Sequence, residues 1–309
     1  MHYSKAPLRI SFFGGSTDYK DFYEKHGSLL VGTTIDKYSF TLLRYKPLFL
    51  RNNSYIAYSE HEIVTDLEEI TNPLIRETLK YYHIYENIDL ITFNDVPSRT
   101  GLGGSSSFCV SLLYSIHKLL NIPINNKKII KQAINIERNI LKDSGGIQDQ
   151  IWAGSKGFNT ISINKQGEFK VRPLSISQEF IQEFSKSIAL IYTNSQRANK
   201  AIAKSHENVD KKGIYDLAIQ GQSLFEAESI PNIGKLLKQS WDEKRAISEL
   251  VSTKEIDDVI STCLTAGAYG GKLLGSGGCG FVCVVGDPKT ISKIKHTYKD
   301  RVFDFNFET

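Results

Sequence analysis

Pro97-Ser98-Arg99-Thr100-Gly101-Leu102-Gly103-Gly104-Ser105-Ser106-Ser107 lies between a predicted strand, residues 87–93, and a predicted helix. Three glycines within four residues let the backbone approach an anion closely, and the serines offer hydroxyls. The first turn of the following helix aims unpaired N–H groups and the positive end of its dipole at the loop. That context reads as a phosphate site; taken alone, the same residues read equally as a flexible loop closed by a serine N-cap. Beyond the loop, Cys109, Leu112, Leu113, Ile116 and Leu120 recur at helical spacing and give the helix a core face.

A chain of 309 residues exceeds the usual single-domain size, so two domains are expected, each with its own core. Hydrophobic residues at 40% and charged residues at 23% argue against disorder. No apolar run approaches the roughly 20 residues needed to span a bilayer. Met1-His2-Tyr3-Ser4-Lys5-Ala6-Pro7 has no apolar core resembling a signal peptide, which points to a cytoplasmic protein. A net charge of +4 is too slight to argue for nucleic acid, and Lys127, Lys128 and Lys131 read as a solvated helix face. Cys109, Cys263, Cys279 and Cys283 sit in apolar segments and read as buried thiols. The seven histidines, His206 and His296 among them, lack metal-ligand spacing and read as ordinary surface or capping residues.

In chain order, a strand over residues 8–13 stops at Gly14-Gly15, and a helix is expected to start near Ser16-Thr17-Asp18, any of which could cap it. Strands follow at 28–31, 37–44 and 54–58, then a helix over 67–85. A helix over 126–141 carries Ile130, Ala133, Ile134 and Leu141 on one side, with Glu137 on that same side. A carboxylate in an apolar stripe is costly unless it meets a cation, a metal or several donors; Glu137 is a ligand candidate or half of a structural salt bridge. Two glycines in Asp143-Ser144-Gly145-Gly146-Ile147-Gln148-Asp149-Gln150 break that helix, and Asp149 then falls in a first turn where the dipole favours an acid. Residues 158–163 and 168–174 form a hairpin. Residues 175–184 hold the boundary between domains 1–180 and 181–309. The second domain reads as a strand at 188–192, helices at 215–229, 233–250 and 255–266, strands at 271–274 and 280–285, a helix at 289–298 and a last strand at 302–305. That order suggests a compact α+β unit.

Gly275-Ser276-Gly277-Gly278-Cys279-Gly280 satisfies G-x-G-x-x-G formally, but a strand follows it where the dinucleotide fingerprint requires a helix. No G-x-x-x-x-G-K-[ST], H-R-D or D-F-G occurs, which excludes P-loop nucleotidases and protein kinases.

Three glycine-rich loops at strand ends remain to be explained together. Ala6-Pro7-Leu8-Arg9-Ile10-Ser11-Phe12-Phe13-Gly14-Gly15-Ser16-Thr17-Asp18-Tyr19 resembles the first motif of the GHMP kinases, residues 97–107 the second, and residues 272–280 the third, in the family's order. The resemblance implies an α+β, two-domain fold with a ferredoxin-like C-terminal domain and the active site between the domains. It implies ATP and Mg²⁺, with the phosphates held by Pro97, Gly101, Leu102, Gly103, Gly104, Ser105 and Ser106. Ser105 takes the place of the family's magnesium-binding serine, with a slip of one residue onto Ser106 left open, and Glu137 matches the second magnesium ligand. Asp149, in Gly146-Ile147-Gln148-Asp149-Gln150, matches the catalytic aspartate of the galactokinase-like branch, and Arg9 an arginine beside it. In that chemistry the aspartate accepts a hydroxyl proton while the arginine balances charge at the transferring phosphoryl group.

Gly14-Gly15-Ser16-Thr17-Asp18 departs from the G-E-H-T-D of galactokinases and is similar to the motif of the D-glycero-D-manno-heptose 7-phosphate kinases of nucleotide-heptose and surface-polysaccharide synthesis. This likeness implies an acceptor held by Gly15, Ser16, Thr17, Asp18, Gly146, Gly277 and Gly278, and phosphorylation at its C1 hydroxyl. A sugar phosphate needs a second anion pocket, and Arg197, at helical spacing from Lys200 and Lys204, is the candidate, a solvated basic face being the alternative. The partners expected are ATP and a small sugar phosphate, with neither nucleic acid nor membrane, and with a homodimer left open. Another acceptor of fucose or galactose type, or a family member that has lost turnover, are the competing readings; the presence of Arg9, Ser105, Glu137 and Asp149 argues against the last.

Overall fold

Leu8, Ile10 and Phe12 alternate with Arg9 and Ser11, and strand β1 (His2–Phe13) presents the two sets on opposite faces. In the computed structural model, which describes residues 1–47, 49, 53–85, 87–97, 100–193 and 200–308, β1 is followed by helix α1 (Lys20–His26) and pairs antiparallel with β2 (Ser28–Tyr45). The two strands expected at 28–31 and 37–44 are one continuous strand. β1 pairs along it on both sides of a bulge at Asp36-Lys37 of β2, opposite Pro7/Leu8, and a second irregularity falls in β1, where Phe12 is skipped between Ser11 and Phe13.

Strands β3 (Ser54–Ala57) and β4 (His61–Val64) add a hairpin whose second arm the sequence reading missed. The helix expected over 67–85 is only α2 (Pro73–Tyr81): Pro73 has no N–H to continue an earlier helix and sits at the first helical position behind the Asn72 cap. Residues 67–69 form a separate 3₁₀ turn with its own Asp66 capping box. Strand β5 (Ile88–Asn94) feeds the glycine loop, and helix α3 (Gly104–Leu119) leaves it. Helix α4 (Asn126–Ile134) widens into a π-helical stretch at Asn135–Ile140 instead of running regularly to 141. Helix α5 (Gln148–Ala153) and the hairpin of β6 (Phe158–Ile163) and β7 (Phe169–Pro173) complete the first sheet, ordered β4-β3-β5-β2-β6-β7 with β1 beside β2.

Helix α6 (Gln178–Lys186) leads to β8 (Ile188–Thr193), α7 (Lys200–Ser205), α8 (Lys212–Glu226), α9 (Ile230–Ile247), α10 (Lys254–Thr265), β9 (Gly270–Leu273), β10 (Gly280–Val285), α11 (Pro288–Tyr298) and β11 (Val302–Phe303). The second sheet is antiparallel in the order β11-β8-β10-β9, the ferredoxin-like arrangement expected. Its last strand is shorter than 302–305, because residues 306–308 return to the first sheet. There Ile35 bridges Phe307, and the Glu308 carboxylate accepts from Tyr38 Oη at 2.6 Å and Thr34 Oγ1 at 2.9 Å. Among the described residues no helix is long and apolar enough to cross a membrane.

Each sheet covers a core of its own, and a third core joins them. Phe12 of β1, Phe184 of α6 and Phe225 of α8 meet with ring centroids 5.1 to 5.7 Å apart. The shared core fixes how the domains sit and therefore where the cleft between them opens. Replacing Phe225 by Ala should lower the unfolding free energy by about 3–5 kcal/mol. Trp152 of the first domain and Trp241 of the second are the chain's two tryptophans. Urea titrations of Trp152→Phe and Trp241→Phe, each reporting on the other tryptophan, should give coincident midpoints; separated midpoints would show that the shared core does not couple the domains.

Candidate active site

Three strand ends and one helix start converge on a cleft of about 580 Å³. Behind β1, residues 14–19 make a tight turn in which Ser16 takes φ 81°. The glycine loop supplies the second wall. Gly103 is the N-cap of α3 at φ 78°, and the first backbone bond of the helix runs from Ser107 N–H to Gly103 O at 3.0 Å. The N–H groups of Gly104, Ser105 and Ser106 thus have no intrahelical acceptor at the cleft. The third loop follows β9 and packs on the second: Phe281 N–H donates to Thr100 O at 3.1 Å.

Arg9 and Asp149, 140 residues apart in sequence, meet at the centre. Arg9 donates to Asp149 Oδ1 from Nε at 2.9 Å and from Nη2 at 2.8 Å, while Nη1 donates to Gly101 O. Arg9 is buried and its direction is over-determined; Asp149 keeps 29% of its side chain exposed to the cleft. Its carboxylate is held in place yet open to a ligand.

Glu137 projects from the π-helical stretch, a distortion that often marks a functional position because it turns one side chain out of the regular stripe. It is 3% exposed, and burial pushes its carboxyl above the usual range against the pull of Arg138. Ser106 Oγ donates to Oε2 at 2.8 Å and Gln150 Nε2 at 2.6 Å; Ser105 Oγ stands 3.5 Å from Oε1. Gln150 Oε1 is buried without a hydrogen-bond partner. The Glu137 carboxylate and the Ser106 hydroxyl, both lining the cleft with Ser105 beside them, are oxygen donors fit for a hard divalent cation that takes its remaining ligands from phosphates and water. Among the described residues no cluster of three His, Cys, Asp or Glu would hold a metal by itself.

Asp18 is almost fully buried, and it caps a helix other than the expected one. Helix α1 starts at Lys20 without a side-chain cap. The Asp18 carboxylate instead accepts from Ser16 N–H at 3.0 Å, Gln148 N–H at 2.9 Å and Gln148 Nε2 at 2.9 Å, tying the first loop to the start of α5. Burial, and then the charge of Asp149, push its carboxyl upward despite the bond from Gln148 N–H. A Cβ on Gly146 would stand 1.8 Å from Asp18 Oδ2, so only glycine fits there. Next to it His206, fully buried, corrects the reading of that residue as a surface or capping group. Its Nε2 lies 2.8 Å from Ser276 O and its Nδ1 3.0 Å from Ser16 Oγ. A carbonyl only accepts, so Nε2 carries the proton. Burial, reinforced by Lys244, pushes the imidazole down to about 4 and keeps it neutral. Nδ1 therefore accepts from the Ser16 hydroxyl.

Of the residues singled out in the sequence, Arg9, Gly15, Ser16, Asp18, Gly101, Gly103, Gly104, Ser105, Ser106, Glu137, Gly146, Asp149 and Gly277 line the cleft. Leu102 turns its side chain into the shared core, and its carbonyl receives Arg9 N–H at 3.0 Å. Thr17 is buried with its hydroxyl on Gly14 O and Ser28 Oγ. Pro97 is exposed at the loop's entry, with its carbonyl accepting from Thr100 Oγ1. Gly278 N–H donates to Val251 O, away from the lining. Arg197 lies outside the described residues. Sequence reading missed His206, Gln148, Gln150, Lys244 and Lys272. One signal was available for Lys244: with Leu237, Ser240 and Trp241 it follows helical spacing along the buried face of α9, the same anomaly that flagged Glu137.

The model of the GHMP kinases N terminal domain matches residues 69–157, and that of the GHMP kinases C terminal domain matches residues 222–302. The chain is 31% identical to D-glycero-alpha-D-manno-heptose 7-phosphate kinase of Campylobacter jejuni, over 98% of this chain and 96% of that one. It is 25% identical to mevalonate kinase of Pyrococcus abyssi over 60% of this chain and 56% of the relative. Two crystal structures share the fold: a D-glycero-D-manno-heptose 1-phosphate kinase from Bacteroides thetaiotaomicron, with a TM-score of 0.80 at 23% identity over 100% of this chain and 96% of that one, and galactokinase from Lactococcus lactis, with 0.75 at 16% over 100% and 93%.

The neutral His206 gives stability a pH dependence with a definite sign. In the unfolded chain the imidazole takes a proton near its ordinary 6.5, and in the fold only near 4, so the contribution is present above 6.5 and fades as pH falls toward 4. On the order of 3 kcal/mol is at stake for a shift of this size. Urea unfolding at pH 7.5 and pH 4.5 should show a smaller pH effect in His206→Asn than in the parent; equal slopes would mean that His206 is charged in the fold.

Proposed function

Since this chain belongs to the GHMP kinases and is a phosphotransferase of that family, we propose that its cleft transfers the γ-phosphoryl group of ATP to the C1 hydroxyl of D-glycero-D-manno-heptose 7-phosphate. The product is the 1,7-bisphosphate, a precursor for nucleotide-activated heptose in surface-polysaccharide synthesis, and the enzyme works in the cytoplasm. The observation that carries the reading is the Arg9–Asp149 pair standing at the helix start beside the glycine loop. The 31% identity to the Campylobacter jejuni heptose 7-phosphate kinase over nearly both full lengths supports the choice of acceptor.

In this reading the N–H groups at the start of α3 and the backbone of residues 101–106 hold the phosphates of ATP. Glu137 and Ser106, with Ser105 at the rim, would hold Mg²⁺, which would supply positive charge to offset that of the phosphates during transfer. Asp149 Oδ1 receives both Arg9 bonds, and Oδ2 accepts the proton of the C1 hydroxyl. Arg9 keeps the carboxylate turned toward the acceptor and offsets charge at the transferring group. Ser16, its own proton committed to His206, presents lone pairs and accepts from a sugar hydroxyl. Asp18 fixes the relation between Ser16 and Asp149 by joining the first loop to α5. Gly15, Gly146 and Gly277 leave room for the sugar.

ADP release measured with a panel of sugars and sugar phosphates tests the acceptor. Turnover confined to the heptose 7-phosphate is the expected result; faster turnover of free galactose or fucose would overturn the acceptor, and no turnover with any member would overturn the enzyme reading. Asp149→Asn should lower kcat by about 10²–10⁴-fold, the worth of a positioned base, while a non-hydrolysable ATP analogue binds as in the parent.

A further inference from the structure

Two lysines at the cleft are buried without an acid partner among the described residues. Lys244 of α9 is 7% exposed and Lys272 of β9 is 5% exposed, and both contribute to the cleft lining. Lys244 Nζ donates to Leu273 O at 3.3 Å and to Gly275 O; Lys272 Nζ donates to Phe12 O at 2.7 Å. These acceptors are neutral carbonyls. Among the described residues no carboxylate pairs with either lysine; burial pushes both below the usual range, Lys244 further through Lys272 and Arg9, and Lys272 through Arg9 against the opposing pull of Cys283. An ammonium has three N–H donors, so one on Lys244 and two on Lys272 have no acceptor among the described residues. The other buried cations among the described residues are paired: Arg9 with Asp149 at 2.8 Å and Lys211 with Asp21 at 3.0 Å. Burying a cation is costly unless an anion compensates it, and here the described residues supply none.

We propose that Lys244 and Lys272, with Arg9, form an oxyanion subsite on the C-terminal wall of the cleft that binds a phosphoryl group of a substrate. The proposal rests on the phosphoryl-transfer reading above and adds to it the residues that receive the anion. The three unused N–H donors equal in number the oxygens of one phosphoryl group, and they are carried by β9 and α9, which line the same cleft as the start of α3. The subsite takes either the γ-phosphoryl group of ATP or the phosphate carried by the acceptor. Lys244 also grips the third glycine loop through Gly275 O, so occupancy of the subsite and the position of that loop are linked.

Lys244→Gln and Lys272→Gln keep a donor for the carbonyls and remove the charge; Lys244→Arg keeps the charge. Binding of ADP and of a non-hydrolysable ATP analogue is measured by calorimetry, and KM for the acceptor with and without its phosphate by ADP release. Loss of at least tenfold in the preference for the analogue over ADP assigns the subsite to the γ-phosphoryl group. A KM for the phosphorylated acceptor raised at least tenfold, with that of the unphosphorylated sugar unchanged, assigns it to the acceptor phosphate. Lys244→Arg should recover most of either loss. If both ratios stay within twofold of the parent in the charge-removing variants, the proposal is overturned. Should Lys244→Gln fail to fold, Lys272→Gln and Lys244→Arg decide the matter by the same ratios. The nucleotide arm needs no acceptor, so it stands even where the panel of sugars shows no turnover and the function reading fails.

Discussion

Gly101 and Gly275 touch backbone to backbone. A Cβ on Gly275 would stand 2.5 Å from Gly101 Cα, and one on Gly101 would stand 2.5 Å from Leu274 O. Through this contact, and through Phe281 N–H on Thr100 O, the phosphate loop of one domain is seated on the sheet of the other. Each loop is also tied to its own domain, the second by Arg9 N–H on Leu102 O and the third by Gly278 N–H on Val251 O, so the contact between them joins two anchored segments. The cleft therefore exists only when the domains dock, and the docking is enforced by the phenylalanines of the shared core rather than by a flexible tether.

Given that docking, charge is distributed unevenly across the cleft. The first domain supplies four carboxylates, Asp18, Glu137, Asp143 and Asp149, together with Arg138, and the second supplies Lys244 and Lys272. Arg9 sits between the two groups, bonded to Asp149 and to the phosphate loop. Asp18 and Glu137 are satisfied by hydrogen bonds from serine, glutamine and backbone donors rather than by direct ion pairs. Such an arrangement holds carboxylates in place without neutralising them and leaves the cations facing ligand space. It costs stability in the ligand-free protein, since buried charge of either sign is unfavourable, and it favours binding of a polyanion with its metal ion.

Much of this was legible in the sequence. The glycine loop announced a helix start, and Glu137 stood out as a carboxylate on an apolar stripe. Three motifs in order led to the family that the comparisons show. Where the reading failed, the competing force is identifiable. Pro73 delayed a helix whose apolar pattern began earlier, because a missing N–H outweighs periodicity. Strand β2 ran through its polar middle because pairing with a neighbour satisfies backbone groups that periodicity does not count.

The order of elements and the three loops could be read from the chain alone, because periodicity and glycine placement are properties of neighbouring residues, and the candidate pair Arg9 and Asp149 came from the resemblance of its motifs to the family's. The folded arrangement was needed to show that Ser106 meets Glu137 at closer range than Ser105, that Asp18 caps α5 instead of α1, that His206 is a neutral acceptor for Ser16, and that Lys244 and Lys272 lie buried without a counter-charge among the described residues. Those facts depend on desolvation and on hydrogen bonds between residues as many as 190 apart. No local pattern encodes them, since a side chain's charge state follows from what surrounds it in space.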